Sequence, residues 1–389
     1  MPRIRLALWG THLALPTRLL ALSLLCGAVS ACSGPTTVDT TTIGPGVAIS
    51  DKHRGIAYEH AWGRRAAAEG YGSEASGRSL AHLAELGVNW ITLTPFGFQR
   101  DPRAATFRWR GGPRRRGGAT VETARDAQTE RTDTRLRLVT AQAREHDIRV
   151  MLKPHVWLRP PAWVGMVEPG TEAGWVQWFD TYRAFILHYA QLAQDVGIDG
   201  FCIGNELSRT THREAEWRQL ISEIREVYSG FLTYGAHADE VEDLPFWDAL
   251  DAIGVSAYFP VADTRAPSRA DMATAWARIA SRLTRLSARH GRPVLFTELG
   301  YRSVDFAARY PWKFDDTPPI NLQLQADAYT AFFDAVWGEP WFLGVYWWKW
   351  RSSLDDGGPK NDDYTPRGKP AEEVLRHHFT SAAAKPPQW

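Results

Sequence analysis

From residue 54 onward, short apolar runs alternate with stretches of helical periodicity. Eight runs have strand character: "GIAY" (55–58), "VNWITLT" (88–94), "IRVMLKP" (148–154), "IDGFCIG" (198–204), "GFLTYG" (230–235), "DAIGVSAY" (251–258), "PVLFTE" (293–298) and "FLGVYWW" (342–348). Between them, "EWRQLISEIREVY" (216–228) puts Trp217, Leu220, Ile221, Ile224 and Tyr228 on one helical face. "AHLAELG" (81–87) ends in glycine at the usual helix-stop position. This alternation predicts βα units around a parallel sheet. Eight of them predict an α/β protein with a (β/α)8, or TIM, barrel in a single domain over 54–380. A doubly wound sheet is the rival, but no GxGxxG or GxxxxGK turn follows any of the runs. The barrel is favoured.

Long loops are expected after strands two, three and seven. Residues 95–131 include the basic, glycine-rich "RWRGGPRRRGG" (108–118), read as a solvated mobile loop or, alternatively, a lid over a cleft. Residues 155–178 carry Trp157, Trp163, Trp175 and Trp178, and residues 299–325 carry Tyr301, Tyr310 and Trp312. In such a barrel the loops that follow the strands build the active face, so these aromatics are well placed for a ligand. The chain holds 18 tryptophans among 389 residues, an excess suited to a cleft that stacks flat sugar faces, although some must fill the core.

The first residues read as an export signal. Arg3, Arg5 and Arg18 precede "LLALSLLCGAVSAC" (19–32), an apolar run too short to span a bilayer as a helix. Val29, Ser30 and Ala31 before Cys32 resemble a bacterial lipobox. That resemblance implies removal of residues 1–31, lipidation of Cys32 and an exported lipoprotein held at a membrane, in the periplasm or at the cell surface. A plain secretory signal cut near "AVSA" is the alternative. Residues 32–53 would be a Thr/Pro/Gly-rich tether and 381–389 a C-terminal tail.

With Cys26 and Cys32 assigned to the signal, Cys202 is the one cysteine left in the body, and it sits in an apolar strand as packing. No Cys/His spacing for a metal and no cofactor fingerprint occurs, so neither is expected. The formal net charge of +1 gives no reason to expect nucleic acid as a partner. A monomer is expected.

Candidate chemistry lies at two strand ends. "GFCIGNEL" (200–207) and "RPVLFTELGY" (292–301) each lead an apolar run into a glutamate, Glu206 and Glu298. Carboxylates are costly to bury, and at the C-terminal ends of barrel strands they usually serve chemistry. Two on one barrel is how retaining glycosidases place an acid/base and a nucleophile. Here Glu206 would protonate the leaving oxygen and Glu298 would attack the anomeric carbon. Asn205 could bond the sugar 2-hydroxyl, although Asn205 and Glu206 would equally serve as a helix cap. Tyr258, ending strand six, can donate to Glu298. Lys153, His155 and Trp157 around the end of strand three are substrate-binding candidates, with structural ion pairing an equal use for Lys153. Trp347 and Trp348 are both candidates for the floor under the reacting sugar. Neighbours on a strand point opposite ways, so one alone can face the cleft.

Together "MLKPHVW", "CIGNEL", "AIGVSAYFP", "FTELGYRS" and "GVYWWKW" resemble glycoside hydrolase family 113, the retaining β-mannanases of clan A, over roughly 54–380. The resemblance implies Glu206 as acid/base, Glu298 as nucleophile and hydrolysis of β-1,4-mannosidic bonds in mannan or manno-oligosaccharides. Segment 95–131 lies outside the resembling motifs. Rival readings are a clan relative acting on glucan, xylan or a cell-wall glycan, and a catalytically silent carbohydrate-binding lipoprotein. A binder, however, needs no nucleophile. No GxSxG elbow or HExxH motif is present, and "AHADE" (236–240) is as readily a sugar contact as a metal cluster.

Overall fold

A computed structural model of the chain describes residues 52–61, 63–109, 122–314 and 316–380. The signal, Cys32, the tether up to residue 51, most of "RWRGGPRRRGG" and the tail lie outside the described residues. Eight parallel strands close into a barrel: β1 (His53–Glu59), β2 (Trp90–Leu93), β3 (Arg149–Leu152), β4 (Gly200–Asn205), β5 (Phe231–His237), β6 (Ile253–Ser256), β7 (Val294–Leu299) and β8 (Phe342–Arg351). Their spatial order follows the chain, with β8 closing on β1. All eight apolar runs coincide with these strands. Among the described residues, no helix is long and apolar enough to cross a membrane.

The strand residues divide their side chains between two cores. One set fills the barrel itself: Trp90, Met151, Cys202, Phe231, Ala252, Leu295, Leu343 and Tyr346. The His53 ring stacks on Trp90 at 4.0 Å, and its Nδ1 bonds the Tyr346 hydroxyl at 3.0 Å. Burial first, and then the charge of Arg149, lowers the His53 pKa to about 3, so the ring stays neutral in this dry interior. The strand therefore starts at His53, which the sequence reading left in the tether. The second set packs outward on the helices. In the helix Glu214–Val227, buried Trp217, Leu220, Ile221 and Ile224 form the stripe that the spacing predicts.

Residues 95–109 do not form a solvated loop. Phe96–Gln99 pairs antiparallel with Arg108–Trp109 and parallel with His155–Leu158, making a three-stranded sheet beside the barrel. Period-2 alternation explains it: Gln99, Val156 and Leu158 are buried, whereas Phe98 and Trp157, paired in register, are exposed. Gly97 is required here, because a Cβ would meet the Phe107 ring at 2.8 Å. Residues 122–144 then form a helix.

Candidate active site

Glu206 and Glu298 stand at the same end of the barrel, one just past β4 and the other the penultimate residue of β7. Glu298 is buried, 8% exposed, and is reached from three sides. Lys153, just past β3 and 1% exposed, forms an ion pair with Oε1. Asn205 Nδ2 donates to the same oxygen at 3.4 Å, and the Tyr258 hydroxyl donates to Oε2 at 3.0 Å. Burial and the charge of Glu298 hold the Tyr258 pKa well above its usual value, so the phenol keeps its proton and remains a donor. Asn205 is itself oriented: its Oδ1 accepts from Ser256 Oγ at 3.2 Å. Position 235 must be glycine for this, since a Cβ there would lie 2.4 Å from Asn205 Oδ1.

Glu206 has a different setting. Its backbone takes a left-handed conformation, φ 51°, fastened by its N–H to Gly235 O at 2.7 Å. A non-glycine residue in that region costs about 1–2 kcal/mol. The residue is half-buried. Burial, then the negative charge of Glu298, raises its pKa to about 7. Three influences work the other way and favour the charged form: Trp163 Nε1 donates to Oε2 at 2.8 Å, Lys153 brings its positive charge, and the Ser256 side chain hydrogen-bonds the carboxyl. The Trp163 ring meets that of His237 at 5.0 Å. Trp163 was grouped with the aromatics after strand three but not singled out as a site residue. No local pattern marks a contact between side chains 43 positions apart.

The remaining candidates separate. His155 lies near the Lys153–Glu298 pair, and burial lowers its pKa to about 4, so the ring is neutral. Trp157 is 40% exposed and meets the Phe98 ring at 6.0 Å on the small sheet. Trp348 is half-buried, with Lys153 Nζ 5.6 Å from its ring centroid, and so faces the site. Trp347 does not. It is fully buried and stacks at 3.7 Å on Tyr329 of the helix Leu322–Val336, because the pleat turns it outward to the helix layer. Trp175 and Trp178 likewise leave the cleft for the buried stripe of the helix Glu172–Val196, and Tyr301 is buried beneath its loop. Tyr310 and Trp312 are exposed, with rings 6.2 Å apart. In "AHADE", Glu240 Oε1 accepts the His237 N–H at 3.0 Å, and no cluster fit for a metal occurs among the described residues.

With Glu298 ion-paired to Lys153 and the Glu206 pKa raised to about 7, the pair can supply one carboxylate and one carboxylic acid at the same time. The sequence model described as Glycoside Hydrolase Family 113 matches residues 60–369. The GH113 β-mannanase AaManA of Alicyclobacillus acidocaldarius, solved in complex with ManMIm, superposes with a TM-score of 0.71 at 28% identity. The alignment covers 85% of this chain and 98% of that one. A GH113 β-1,4-mannanase complex gives 0.70 at 27% identity, covering 85% and 100%. A β-glucuronidase of Faecalibacterium prausnitzii, at 12% identity and TM-score 0.55 over 85% of this chain and 49% of that one, shares the barrel fold alone. The comparison with curated proteins finds no match.

Proposed function

The chain belongs to glycoside hydrolase family 113, and on that premise we propose that it cleaves β-1,4-linked mannan or manno-oligosaccharides by double displacement. The observation that carries the mechanism is the split between the two carboxyl environments: three donors on Glu298, and a pKa near 7 on Glu206. In the first step a Glu298 oxygen bonds to the anomeric carbon as the glycosidic C–O bond breaks, and protonated Glu206 gives its proton to the departing oxygen. In the second, Glu206 takes a proton from water, which attacks the anomeric carbon and releases Glu298. Asn205, which donates to Glu298, would bond the sugar 2-hydroxyl. Trp348 would pack under the ring. The mannanase activity of the two similar solved proteins supports the choice of glycan.

The test is a substrate panel with proton NMR of early products. The enzyme is expected to release β-anomeric sugar first from β-mannan or manno-oligosaccharides, with weaker or no turnover of glucan, xylan and chitin-type oligosaccharides. Turnover confined to another glycan would replace mannan as the substrate, and α-anomeric first product would overturn double displacement.

We also propose that Cys32 is lipidated and holds the enzyme, as a monomer, at the periplasmic or outer surface of a membrane; the lipobox-like Val29–Cys32 supports this. Cys32→Ser should move the activity from the membrane fraction to the soluble fraction. Unchanged membrane association would overturn the lipid anchor.

A further inference from the structure

Glu206 takes a hydrogen bond from an indole that the hydrophobic core does not hold. Trp163 is 38% exposed, yet its Nε1 lies 2.8 Å from Glu206 Oε2. A ring so open to solvent goes where its nearest neighbours put it. The first is Gly165, buried in the short turn Val164–Met166 that follows Trp163. A Cβ there would stand 2.2 Å from Cη2, 2.3 Å from Cζ3 and 2.6 Å from Cζ2 of the indole. The backbone does not ask for glycine at this position: its φ lies outside the left-handed region, whereas that of Gly170 is 79°. The missing side chain is therefore room for the ring.

The second neighbour is His237, the last residue of β5, whose ring meets the indole edge-on with centroids 5.0 Å apart. It is fixed in turn. Its backbone N–H donates to Glu240 Oε1 at 3.0 Å, and its Nδ1 accepts from the Asp239 N–H at 3.3 Å. Burial holds its pKa below the usual histidine value, so the ring packs as a neutral one. The loop that carries the indole is also tied to the one that carries the carboxyl, because Glu168 pairs with Arg209 in the turn Ser208–Thr210. Non-bonded carbons rest about 3.5–4.0 Å apart, so a methyl at position 165 would drive the rigid indole away by about 1 Å or more. A bond of 2.8 Å lengthened by that much lies outside hydrogen-bond range.

We propose that Gly165 and His237 are positioning residues for the reaction: together they seat the Trp163 indole so that its N–H stays on the acid/base glutamate. The other groups facing Glu206 are Glu298, Lys153, Tyr258 and the Ser256 side chain, with Asp239 and Glu240 beside His237. Gly165→Ala alters the charge of none of them. The seat rests on the reading of Glu206 as acid/base, so two readouts are taken on the full-length enzyme. One is the alkaline limb of kcat/KM on manno-oligosaccharides, which reports the acid of the free enzyme. The other is the titration of the Glu206 carboxyl carbon by NMR without substrate, assigned by its loss in Glu206→Gln. Gly165→Ala withdraws a donor that favours the charged form, so both should shift to higher pH, by less than about one unit. In Trp163→Phe the shift is already present, and the shorter ring leaves space for the methyl, so adding Gly165→Ala should move neither further. His237→Ala should give a smaller shift in the same sense. His237→Phe keeps a ring edge without the imidazole and should give none. A Glu206 titration that stays put in Gly165→Ala, whatever happens to the level of activity, overturns the seat, and so does an equal shift on adding Gly165→Ala to Trp163→Phe. Equal shifts in His237→Ala and His237→Phe, or none in either, remove His237 from it. If the titration shifts and the limb does not, the seat stands and the acid/base reading of Glu206 falls.

Discussion

Glu298 is met by a lysine, an amide and a phenol from the ends of three barrel strands, whereas Glu206 is met by an indole from a loop and by the Ser256 side chain. Both carboxyl groups began as equivalent features, a glutamate at the C-terminal end of an apolar strand. Donors held by the barrel surround one, and burial beside the other carboxylate's charge raises the second's pKa to about 7. The assignment of roles therefore depends on neighbours more than on the glutamates themselves.

Removing the group that the donors serve should have the largest effect. Glu298→Gln is expected to lower kcat on manno-oligosaccharides by about 10⁴-fold or more while leaving their binding measurable by calorimetry. Appreciable residual turnover would take the nucleophile's role from Glu298. Next comes Glu206→Ala, expected to cost about 10²- to 10⁴-fold on oligosaccharides and much less in the first step on activated aryl glycosides. Azide should restore turnover and give a β-glycosyl azide, because it attacks the covalent intermediate without a base. An α-azide would mean direct displacement.

Smaller effects probe how the two settings differ. Tyr258→Phe removes one charge-assisted bond to Glu298, and a loss of about ten- to a hundredfold in kcat/KM is expected. No loss would show that Lys153 and Asn205 suffice. Because Glu206 must be protonated in the first step, activity on poor leaving groups should fall as pH rises through about 7. Trp163→Phe deletes a bond that favours the charged form, so this alkaline limb should move to higher pH, by less than about one unit. A limb moving to lower pH would contradict the role given to the indole.

The barrel was legible because each apolar run is short and separated from the next by helical spacing. Glu206 and Glu298 were legible for the related reason that a carboxylate breaks an apolar run where it ends. The same signal marks Glu59. Reading "GIAY" as a strand ending at 58 stopped one residue short of it. Trp175 and Trp178 carried a readable signal too, since with Phe179, Tyr182, Phe185, Ile186 and Tyr189 they form a helical stripe. For Trp347 and Trp348 the pleat allows one inward residue, but which one depends on strand register, and register is set by neighbouring strands far away in sequence. The small sheet beside the barrel likewise depends on pairing between residues 96–99 and 155–158, invisible to local periodicity.

The left-handed backbone of Glu206 bears on how this enzyme would respond to selection in the laboratory. At φ 51° glycine is the comfortable residue, so Glu206→Gly should relieve the backbone and remove a poorly solvated acid in one change. A screen that rewards heat resistance alone would tend to enrich the very chains that have lost the reaction. Campaigns to harden this protein would have to hold position 206 fixed and look for gains elsewhere.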